Sequence, residues 1–396
     1  MIKRIRFENY RSHGETEFPL QRINLLIGSV AAGKSNVFKG LLLIQNSIHR
    51  SLEELFPPGL SEFHLVRSRW ADQTAPIRIE VELSDLDGFP DQIAIYRLAI
   101  ADSPNGLYVL EETLERQEPE RSSYWIFRRG MRHQALANYG EVDPYDPTLL
   151  NRIFYNDLQV NKTVESVVFA REVARSLSQF GYYHLSVAQL KTWGTGQPSQ
   201  RISYYGAGLP DFLAWTKFSE QNAPVYQKIL KAMQVLLPEL DSIIVTQARS
   251  DQQSLAMSFK GQRGYIAAPD LSDGTLLTLG LLSLVYSPER PNLLCIEEPE
   301  TGLNPRRLRW LFEQFIEIAY PTDDVKATQV IFSTHSPWLI DLFNKDLRES
   351  VLLVEQEQGR SRVKPLVEIQ RERLHQEPEP GEPIGHLWAT GVYEGL

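Results

Sequence analysis

The spacing of apolar and polar residues predicts a strand, a second strand and a helix in the first part of this chain. Residues 2–7 alternate between apolar and polar side chains, and residues 23–27 form a short continuous apolar run. These patterns are typical of a half-exposed strand and a buried strand. Between residues 36 and 55, apolar side chains recur at helical spacing and stop before Pro57. The pattern predicts a helix that ends before this proline.

The pattern then changes twice more. Residues 76–129 alternate and are divided by turn signals such as Pro104-Asn105-Gly106, which predicts an antiparallel sheet. Most of residues 147–237 carries a helical pattern, including 163–180 and 211–237, and a hairpin is expected over 242–259. We therefore expect an α/β protein. Its predicted segments are a first lobe (1–146), a helical insertion (147–240), a second lobe (241–376) and an acidic, proline-rich linker with a tail (377–396).

Composition narrows the class of protein. The chain has 396 residues and a formal charge of −9, which argues against a surface coated by a polyanion but allows a local basic groove. Cys295 is the single cysteine, so an intramolecular disulfide and a multi-cysteine zinc site are excluded. No signal-peptide core follows Met1, and the longest apolar run, 276–286, is too short to span a bilayer. We expect a soluble cytoplasmic protein with no membrane partner.

A phosphate-binding loop is predicted at residues 28–35, between the apolar run and the predicted helix. Its glycines allow the backbone amides at the start of the helix to surround a phosphate chain. Lys34 would neutralise the phosphates of ATP, with a catalytic role, and Ser35 would bind Mg²⁺. The residues expected to bind the nucleotide here are Gly28, Ser29, Ala32, Gly33, Lys34, Ser35 and Asn36.

Three further motifs follow in the second half of the chain. The apolar run 293–296 ends in Glu297, which would hold the hydration shell of Mg²⁺, and Glu298, which would activate the attacking water. His335 follows another apolar run and would contact the γ-phosphate. Ser272 and Gly274 precede an apolar helix, where they would form either an anion site or an ordinary N-cap.

In this fixed order, the four motifs resemble those of the SMC- and RecF-like branch of ATP-binding-cassette ATPases. Within that branch, the chain is similar to overcoming-lysogenization-defect type ATPases and related predicted bacterial ATPases. The resemblance rests on the segments 9–13, 297–300, 302–305, 333–337 and 385–392. It implies an ABC-type head with an antiparallel β lobe, a parallel-sheet core and a helical insertion.

The resemblance also implies cofactors and partners. ATP and Mg²⁺ would lie in a head-to-tail homodimer, where Ser272 and Gly274 of one chain close over ATP held by Lys34 of the other. The dimer could assemble into a larger even-numbered oligomer. Arg11 would lie near the nucleotide. Three glutamines are candidates for the residue that senses Mg²⁺, and the sequence does not choose among them: Gln159, Gln179 and Gln189.

Several features depart from the resembled families. Glu297 replaces the usual aspartate, and Asp273 replaces a glycine in the Leu-Ser-Gly-Gly motif. The insertion lacks the heptad pattern of a long coiled coil. Only 41 residues follow Glu355, too few for the nuclease domain of the overcoming-lysogenization-defect proteins, and residues 356–360 are predicted to form a hairpin turn instead.

Two functions remain open. The first is a regulatory ATPase, in anti-phage defence or DNA repair, that controls an effector protein acting on nucleic acid. The second is a scaffold or clamp that hydrolyses ATP slowly or not at all; a transporter ATPase is disfavoured.

Double-stranded DNA could contact basic clusters, although such clusters more often pair with local acids. These clusters are Lys3-Arg4-Arg6, Arg128-Arg129-Arg132-His133 and Arg306-Arg307-Arg309, and the patch from Arg128 to Arg132 is the preferred one. The tail residues Trp388 and Tyr393 would pack on their own domain or dock a partner.

Overall fold

The computed structural model describes eight ranges of the chain, and every structural statement below concerns these residues: 1–56, 60–118, 122–129, 164–249, 252–322, 325–343, 347–374 and 384–390. Two compact units make up the chain. The first contains residues 1–180, 345–382 and 390–396, and the second contains residues 181–344 and 383–389. The first unit is thus completed by a segment that follows the second unit in sequence.

Both units mix strands and helices. The strands are β1 (Ile2–Tyr10), β2 (His13–Pro19), β3 (Ile23–Ile27), β4 (Ile77–Leu83), β5 (Ile93–Ser103), β6 (Gly106–Gln117), β7 (Ser122–Arg129), β8 (Phe180–Tyr183), β9 (Leu240–Arg249), β10 (Gln252–Phe259), β11 (Ile266–Ala267), β12 (Leu293–Glu297), β13 (Gln329–Ser333), β14 (Val351–Glu357) and β15 (Arg360–Pro365). The α-helices are α1 (Lys34–His49), α2 (Leu52–Leu55), α3 (Leu60–Val66), α4 (Val164–Ser178), α5 (Val187–Leu190), α6 (Leu209–Phe218), α7 (Ala223–Leu236), α8 (Asp273–Tyr286), α9 (Pro305–Ala319), α10 (Pro337–Leu342), α11 (Leu366–Leu374) and α12 (Ile384–Ala389).

The first unit contains the predicted antiparallel sheet, with strand order β2-β1-β4-β5-β6-β7. Along β4, every second residue is buried, as the alternating pattern predicts. A second group of strands runs in the order β15-β14-β3, with β14 parallel to β3 and antiparallel to β15. The predicted turn at 356–360 is confirmed, because β14 and β15 form a hairpin there.

Arginine and glutamate side chains alternate across neighbouring strands of the antiparallel sheet. The Arg4 guanidinium lies 3.2 Å from Glu17, 3.1 Å from Glu80 and 2.9 Å from Glu82. Arg6 pairs in the same way with glutamates of its own sheet. The arginines of the cluster that begins at Lys3 are therefore paired with local acids, which is the more common arrangement of such clusters.

The predicted helix over residues 36–55 ends at Leu55 as expected, but it begins two residues earlier and is divided in two. The structure begins α1 at Lys34, ends it at His49 and places Arg50 in extended backbone. A separate short helix, α2, follows Ser51, whose backbone N–H donates to Glu54 Oε2 at 3.0 Å. This capping interaction at Ser51 thus begins a new helix directly after the extended residue Arg50.

In the second unit, β12 and β13 run parallel, and β8 neighbours β12. The predicted hairpin over 242–259 is confirmed as β9 and β10, which pair antiparallel with each other, and β10 also pairs antiparallel with β11. The helical pattern over 211–237 is divided into α6 and α7, with Pro224 in the first turn of α7. Eleven of the fourteen residues of α8 are buried, so this apolar helix forms part of the core of the second unit.

The end of the described chain also packs on the second unit. Helix α12 packs against α10, where the Gly385 N–H donates to Asp341 Oδ1 at 2.7 Å. Trp388 is buried, in agreement with a tail that packs on its own chain, whereas Tyr393 lies outside the described residues. Among the helices described, none combines the length and apolar character needed to cross a bilayer.

Candidate functional site

In the first unit, the phosphate loop joins the fully buried strand β3 to helix α1. Three of its residues have positive φ angles: Gly28 at 147°, Ala31 at 65° and Gly33 at 110°. The Lys34 ammonium donates to the carbonyls of Gly28 at 2.7 Å and Ser29 at 3.0 Å. The loop therefore curls around its own lysine, with Ser35 and Asn36 half-buried in the first turn of the helix.

The loop is also held from the distant hairpin β14–β15. The Ser361 hydroxyl lies 2.6 Å from the Ala32 carbonyl and 2.8 Å from the Ser12 hydroxyl, which accepts from Asn36 Nδ2 at 2.9 Å. Neither serine was a predicted site residue, and no local sequence signal marks Ser361 as a neighbour of the loop. Together they connect the loop to β15 and to the turn after β1.

Gly28 has no room for a side chain, which leads to the first prediction. A Cβ atom there would lie 2.0 Å from the Val354 carbonyl oxygen, at a φ of 147°. Gly106 has a similar φ of 127° but nothing within 4 Å, so it isolates the effect of backbone strain. We expect Gly28→Ala to lower the free energy of unfolding by about 2 kcal/mol more than Gly106→Ala, measured by chemical denaturation. Equal losses would show that β14 yields to the added methyl group.

Arg11 and His13 lie just before the loop in the first unit. Arg11 has a φ of 51°, and its Nε lies 3.3 Å from the Tyr10 hydroxyl. The structure thus gives Arg11 a protein partner, and its expected role beside the nucleotide stays a prediction. His13 is completely buried against the Phe7 ring, and this burial lowers the pKa of its imidazole to about 4. His13 is therefore neutral at physiological pH.

In the second unit, the ends of β12 and β13 bring two predicted residues together. Glu297 pairs with Ser333 in the parallel register, and Glu298 follows with its N–H donating to the Ser333 carbonyl at 2.9 Å. Glu298 has a φ of 44°, an uncommon value for a residue with a side chain. Its Oε1 lies 3.9 Å from His335 Nε2, and both side chains are partly exposed. A carboxylate and an imidazole thus lie close together, partly exposed, at the carboxyl ends of β12 and β13.

Glu297 is buried, in contrast to Glu298. Its Oε2 lies 3.2 Å from the Tyr204 hydroxyl and 3.3 Å from His184 Nδ1, while its Oε1 is buried without a hydrogen-bond partner in the described structure. Burial is the main cause that raises the pKa of Tyr204 to about 12, and the charge of Glu297 acts in the same direction. The tyrosine is therefore a stable neutral donor to the carboxylate.

Glu300 lies in the turn that follows β12. Its side chain interacts within its own unit, where Oε1 accepts a hydrogen bond from the Thr334 hydroxyl. Burial raises the pKa of Glu300, and the hydrogen bond from Thr334 opposes this shift. Because the Ser336 N–H donates to Thr334 Oγ1 at 2.8 Å, Glu300 helps to order the segment around His335.

The third motif begins helix α8. Ser272 is its N-cap and accepts from the Thr275 N–H at 3.3 Å, so the N-cap interpretation is confirmed for its side chain. Asp273, the residue that departs from the resembled motif, pairs with Lys191 at 3.1 Å. The space beside Gly274 is closed by the Gly302 carbonyl and the Arg307 guanidinium, which lie 2.9 Å and 3.2 Å from the position that a Cβ atom would occupy.

The candidate glutamines differ in their surroundings. Gln159 lies outside the described residues, and Gln179 is half-buried in the first unit. Gln189 is exposed and lines a groove of about 530 Å³ in the second unit, together with His184, Leu277 and Thr301. Cys295 is buried on β12, and burial raises the pKa of its thiol well above the ordinary value, as expected for a small packing residue.

Comparisons with known proteins agree with this architecture. The fold is similar to "Crystal structure of the SmcHead bound to the C-winged helix domain of ScpA", with a TM-score of 0.54, 13% identity and coverage of 92% of this chain and 96% of that chain. It is also similar to an Smc head domain with an extended coiled coil, bound to the C-terminal domain of ScpA and derived from Pyrococcus furiosus. That likeness has a TM-score of 0.51, 12% identity and coverage of 95% and 99%. No curated protein matches the sequence.

The sequence itself identifies the family. Residues 23–152 and 170–341 match the family AAA_21, described as "AAA domain, putative AbiEii toxin, Type IV TA system". The match includes the phosphate loop, the β12 carboxylates and His335. With its mixed α/β architecture of antiparallel and parallel strands, the chain belongs to the AAA_21 family and has the fold of an SMC-type ATPase head.

Proposed function

We propose that this protein binds ATP with Mg²⁺ and hydrolyses it to ADP and phosphate. The observation that carries this proposal is the exposed pair of Glu298 and His335, 3.9 Å apart at the ends of two parallel strands. A carboxylate positioned there can orient and deprotonate a water molecule, and an imidazole beside it can donate to a phosphate oxygen. The family match supports nucleotide binding.

The residues of the chain also suit Mg²⁺ and a phosphate chain. Lys34 is held at the centre of a loop whose backbone is forced into positive φ angles, and Ser35 follows at the start of a helix. Glu297 keeps one buried carboxylate oxygen without a hydrogen-bond partner in the described structure, which suits the hydration shell of a cation. When bound, Mg²⁺ would neutralise the charge of the phosphates.

The proposal includes a head-to-tail homodimer, with Ser272 and Gly274 of one chain contacting ATP bound to the other. Ser272 stands at the N-terminus of a fourteen-residue helix, where backbone amides favour an anion. Asp273 does not oppose this role strongly, because its carboxylate is paired with Lys191. Native mass spectrometry with and without ATP tests the assembly and would reveal a larger even-numbered oligomer.

We further propose that ATP-driven dimerisation controls an effector protein that acts on nucleic acid, in anti-phage defence or DNA repair. Support comes from the resemblance of the motifs to the SMC- and RecF-like branch. The decisive experiment measures native mass and ATP turnover of the purified chain with and without double-stranded DNA. DNA-stimulated turnover in an even-numbered assembly supports the proposal, whereas turnover unaffected by DNA argues for a protein trigger.

Direct contact with DNA is best supported at the start of α9. Arg306 and Arg309 are exposed there, and none of the described carboxylates pairs with either side chain. By contrast, Arg4 and Arg6 are paired with glutamates. In the patch around Arg128, Arg132 and His133 lie outside the described residues.

These arginines give a second prediction. We expect Arg306→Ala with Arg309→Ala to weaken binding of double-stranded DNA and to reduce the salt dependence of the binding constant by roughly two phosphate contacts. The matched control is Arg4→Ala with Arg6→Ala, which removes guanidinium groups already neutralised by glutamates. Fluorescence anisotropy at several salt concentrations measures both. If the two double variants weaken DNA binding equally, the proposal that DNA contacts the start of α9 is contradicted.

A scaffold that retains ATP is the second candidate. It is favoured by Glu297 in place of the usual aspartate and by Asp273 within the third motif. In such a protein, ATP would hold two chains together on DNA or on a partner protein, with little turnover. A stable ATP-bound dimer that forms normally and shows no hydrolysis under any condition would support this candidate.

A further inference from the structure

We propose that Tyr204 is a positioning residue for Glu297, whose carboxylate it fixes for the hydration shell of Mg²⁺. This inference rests on the proposed ATPase function and adds a residue that none of the four motifs contains. The Tyr204 hydroxyl lies 3.2 Å from Glu297 Oε2. It donates the hydrogen bond to this carboxylate oxygen. Oε1 is thereby left as the oxygen available to water bound to the metal.

The two oxygens of Glu297 have different surroundings. Oε2 has two neighbours, the Tyr204 hydroxyl and His184 Nδ1 at 3.3 Å. Oε1 is buried without a hydrogen-bond partner in the described part of the chain. A buried carboxylate oxygen left without a hydrogen-bond partner is costly, so a site that keeps one is expected to complete it with a ligand.

The backbone around Tyr204 is fixed by its own hydrogen bonds. The Tyr204 carbonyl accepts from the His184 N–H at 2.9 Å, and the Tyr205 carbonyl accepts from the Ser186 N–H at the same distance. The two groups that contact Glu297 Oε2 therefore come from paired segments. A carboxylate held by two such groups loses rotational freedom before any metal binds.

Tyr182 packs beside Tyr204 and also interacts with Glu297. The two hydroxyl oxygens are 3.2 Å apart, and the ring centroids are 4.5 Å apart. The ring of Tyr182 therefore limits the positions that the Tyr204 side chain can take.

This arrangement also explains why glutamate can occupy a position where the resembled ATPases carry aspartate. A glutamate side chain is one methylene longer and more flexible, so its carboxylate needs an additional anchor. Tyr204 and His184 provide that anchor. An aspartate at position 297 would end its side chain short of the Tyr204 hydroxyl and would not depend on it.

The test compares Tyr204→Phe with Tyr205→Phe, a neighbouring tyrosine that is 52% exposed. Binding of Mn²⁺ in the presence of a non-hydrolysable ATP analogue is measured by electron paramagnetic resonance. We expect Tyr204→Phe to weaken Mn²⁺ binding about tenfold and Tyr205→Phe to leave it unchanged. Equal effects of the two variants, or no effect of Tyr204→Phe, would overturn the proposal. Wild-type protein that binds neither Mn²⁺ nor the analogue would instead refute the proposed function.

The same substitution in Glu297→Asp protein distinguishes a positioning role of Tyr204 from a general loss of structure. In Glu297→Asp protein, we expect Tyr204→Phe to change Mn²⁺ affinity less than about twofold, because the shorter carboxylate no longer reaches the hydroxyl. A tenfold loss in both backgrounds would show that Tyr204 acts on the fold and not through Glu297. If Glu297→Asp abolishes Mn²⁺ binding, Tyr182→Phe in the wild-type background provides the second measurement, with an intermediate loss expected and an unchanged affinity counting against the proposal.

Discussion

Glu298→Gln is expected to reduce ATP turnover by about 10²- to 10⁴-fold, the usual contribution of a general base. The amide has nearly the shape of the carboxylate but cannot accept a proton from the attacking water. ATP binding should persist, since the phosphate loop lies in the other unit of the chain and is unchanged. The variant should therefore accumulate as an ATP-bound dimer, detectable by native mass spectrometry together with phosphate release.

The matched control is Glu313→Gln, which removes an exposed carboxylate on α9 at no proposed site. It should retain wild-type turnover and should not trap a dimer. If Glu298→Gln hydrolyses ATP as fast as the wild type, the general base has been misassigned. If the wild-type protein does not turn over ATP and the variant retains full biological function, the scaffold becomes the better account.

Lys34→Ala is expected to weaken ATP binding by about 10- to 100-fold, corresponding to the loss of one charge-assisted hydrogen bond. The ammonium is held at the centre of the loop by the carbonyls of Gly28 and Ser29, so it is already positioned for an anion. Isothermal titration calorimetry with ATP and Mg²⁺ measures the change. ATP-dependent dimerisation should be lost with it.

Lys39→Ala is the control for this variant, because Lys39 is exposed on the same helix. It alters net charge equally but leaves the loop intact. Equal losses of affinity in the two variants would indicate a general electrostatic effect rather than a bound phosphate. Unchanged affinity in Lys34→Ala would refute the phosphate-loop assignment.

Local patterns were sufficient to predict much of the fold. The buried strand before the loop, the alternating strands of the first unit and the hairpin at 356–360 are all confirmed. The break after His49 was not predictable from apolar spacing, because Ser51 and Glu54 cap a new helix within the periodic segment. A capping interaction involves only a few residues, so it changes where a helix ends without changing the apolar spacing of the longer segment.

Within the candidate site, the predicted positions at the ends of buried parallel strands are confirmed, whereas the catalytic roles stay predictions. Glu298 and His335 each follow such a strand, and the structure brings them together. Prediction failed for Ser361 and Tyr204, because each reaches its partner through a contact distant in sequence. Ser361 and Ser12 are separated by 349 residues, and Tyr204 and Glu297 by 93. Neither residue type, in its local sequence, indicates a binding site.

The long separation between Ser12 and Ser361 has a consequence for synthesis of the chain on the ribosome. Strand β14, which lies next to β3, begins at Val351. Ser361, which holds the phosphate loop, comes after it in the sequence. Until these residues emerge, the first unit lacks a strand and the support of its loop, although most of its residues have been made. Closing so distant a contact is slow, and an unpaired strand is prone to aggregation meanwhile. The nascent protein should therefore acquire nucleotide affinity only after Ser361 has left the ribosome, so that a bound nucleotide reports that both units have been made.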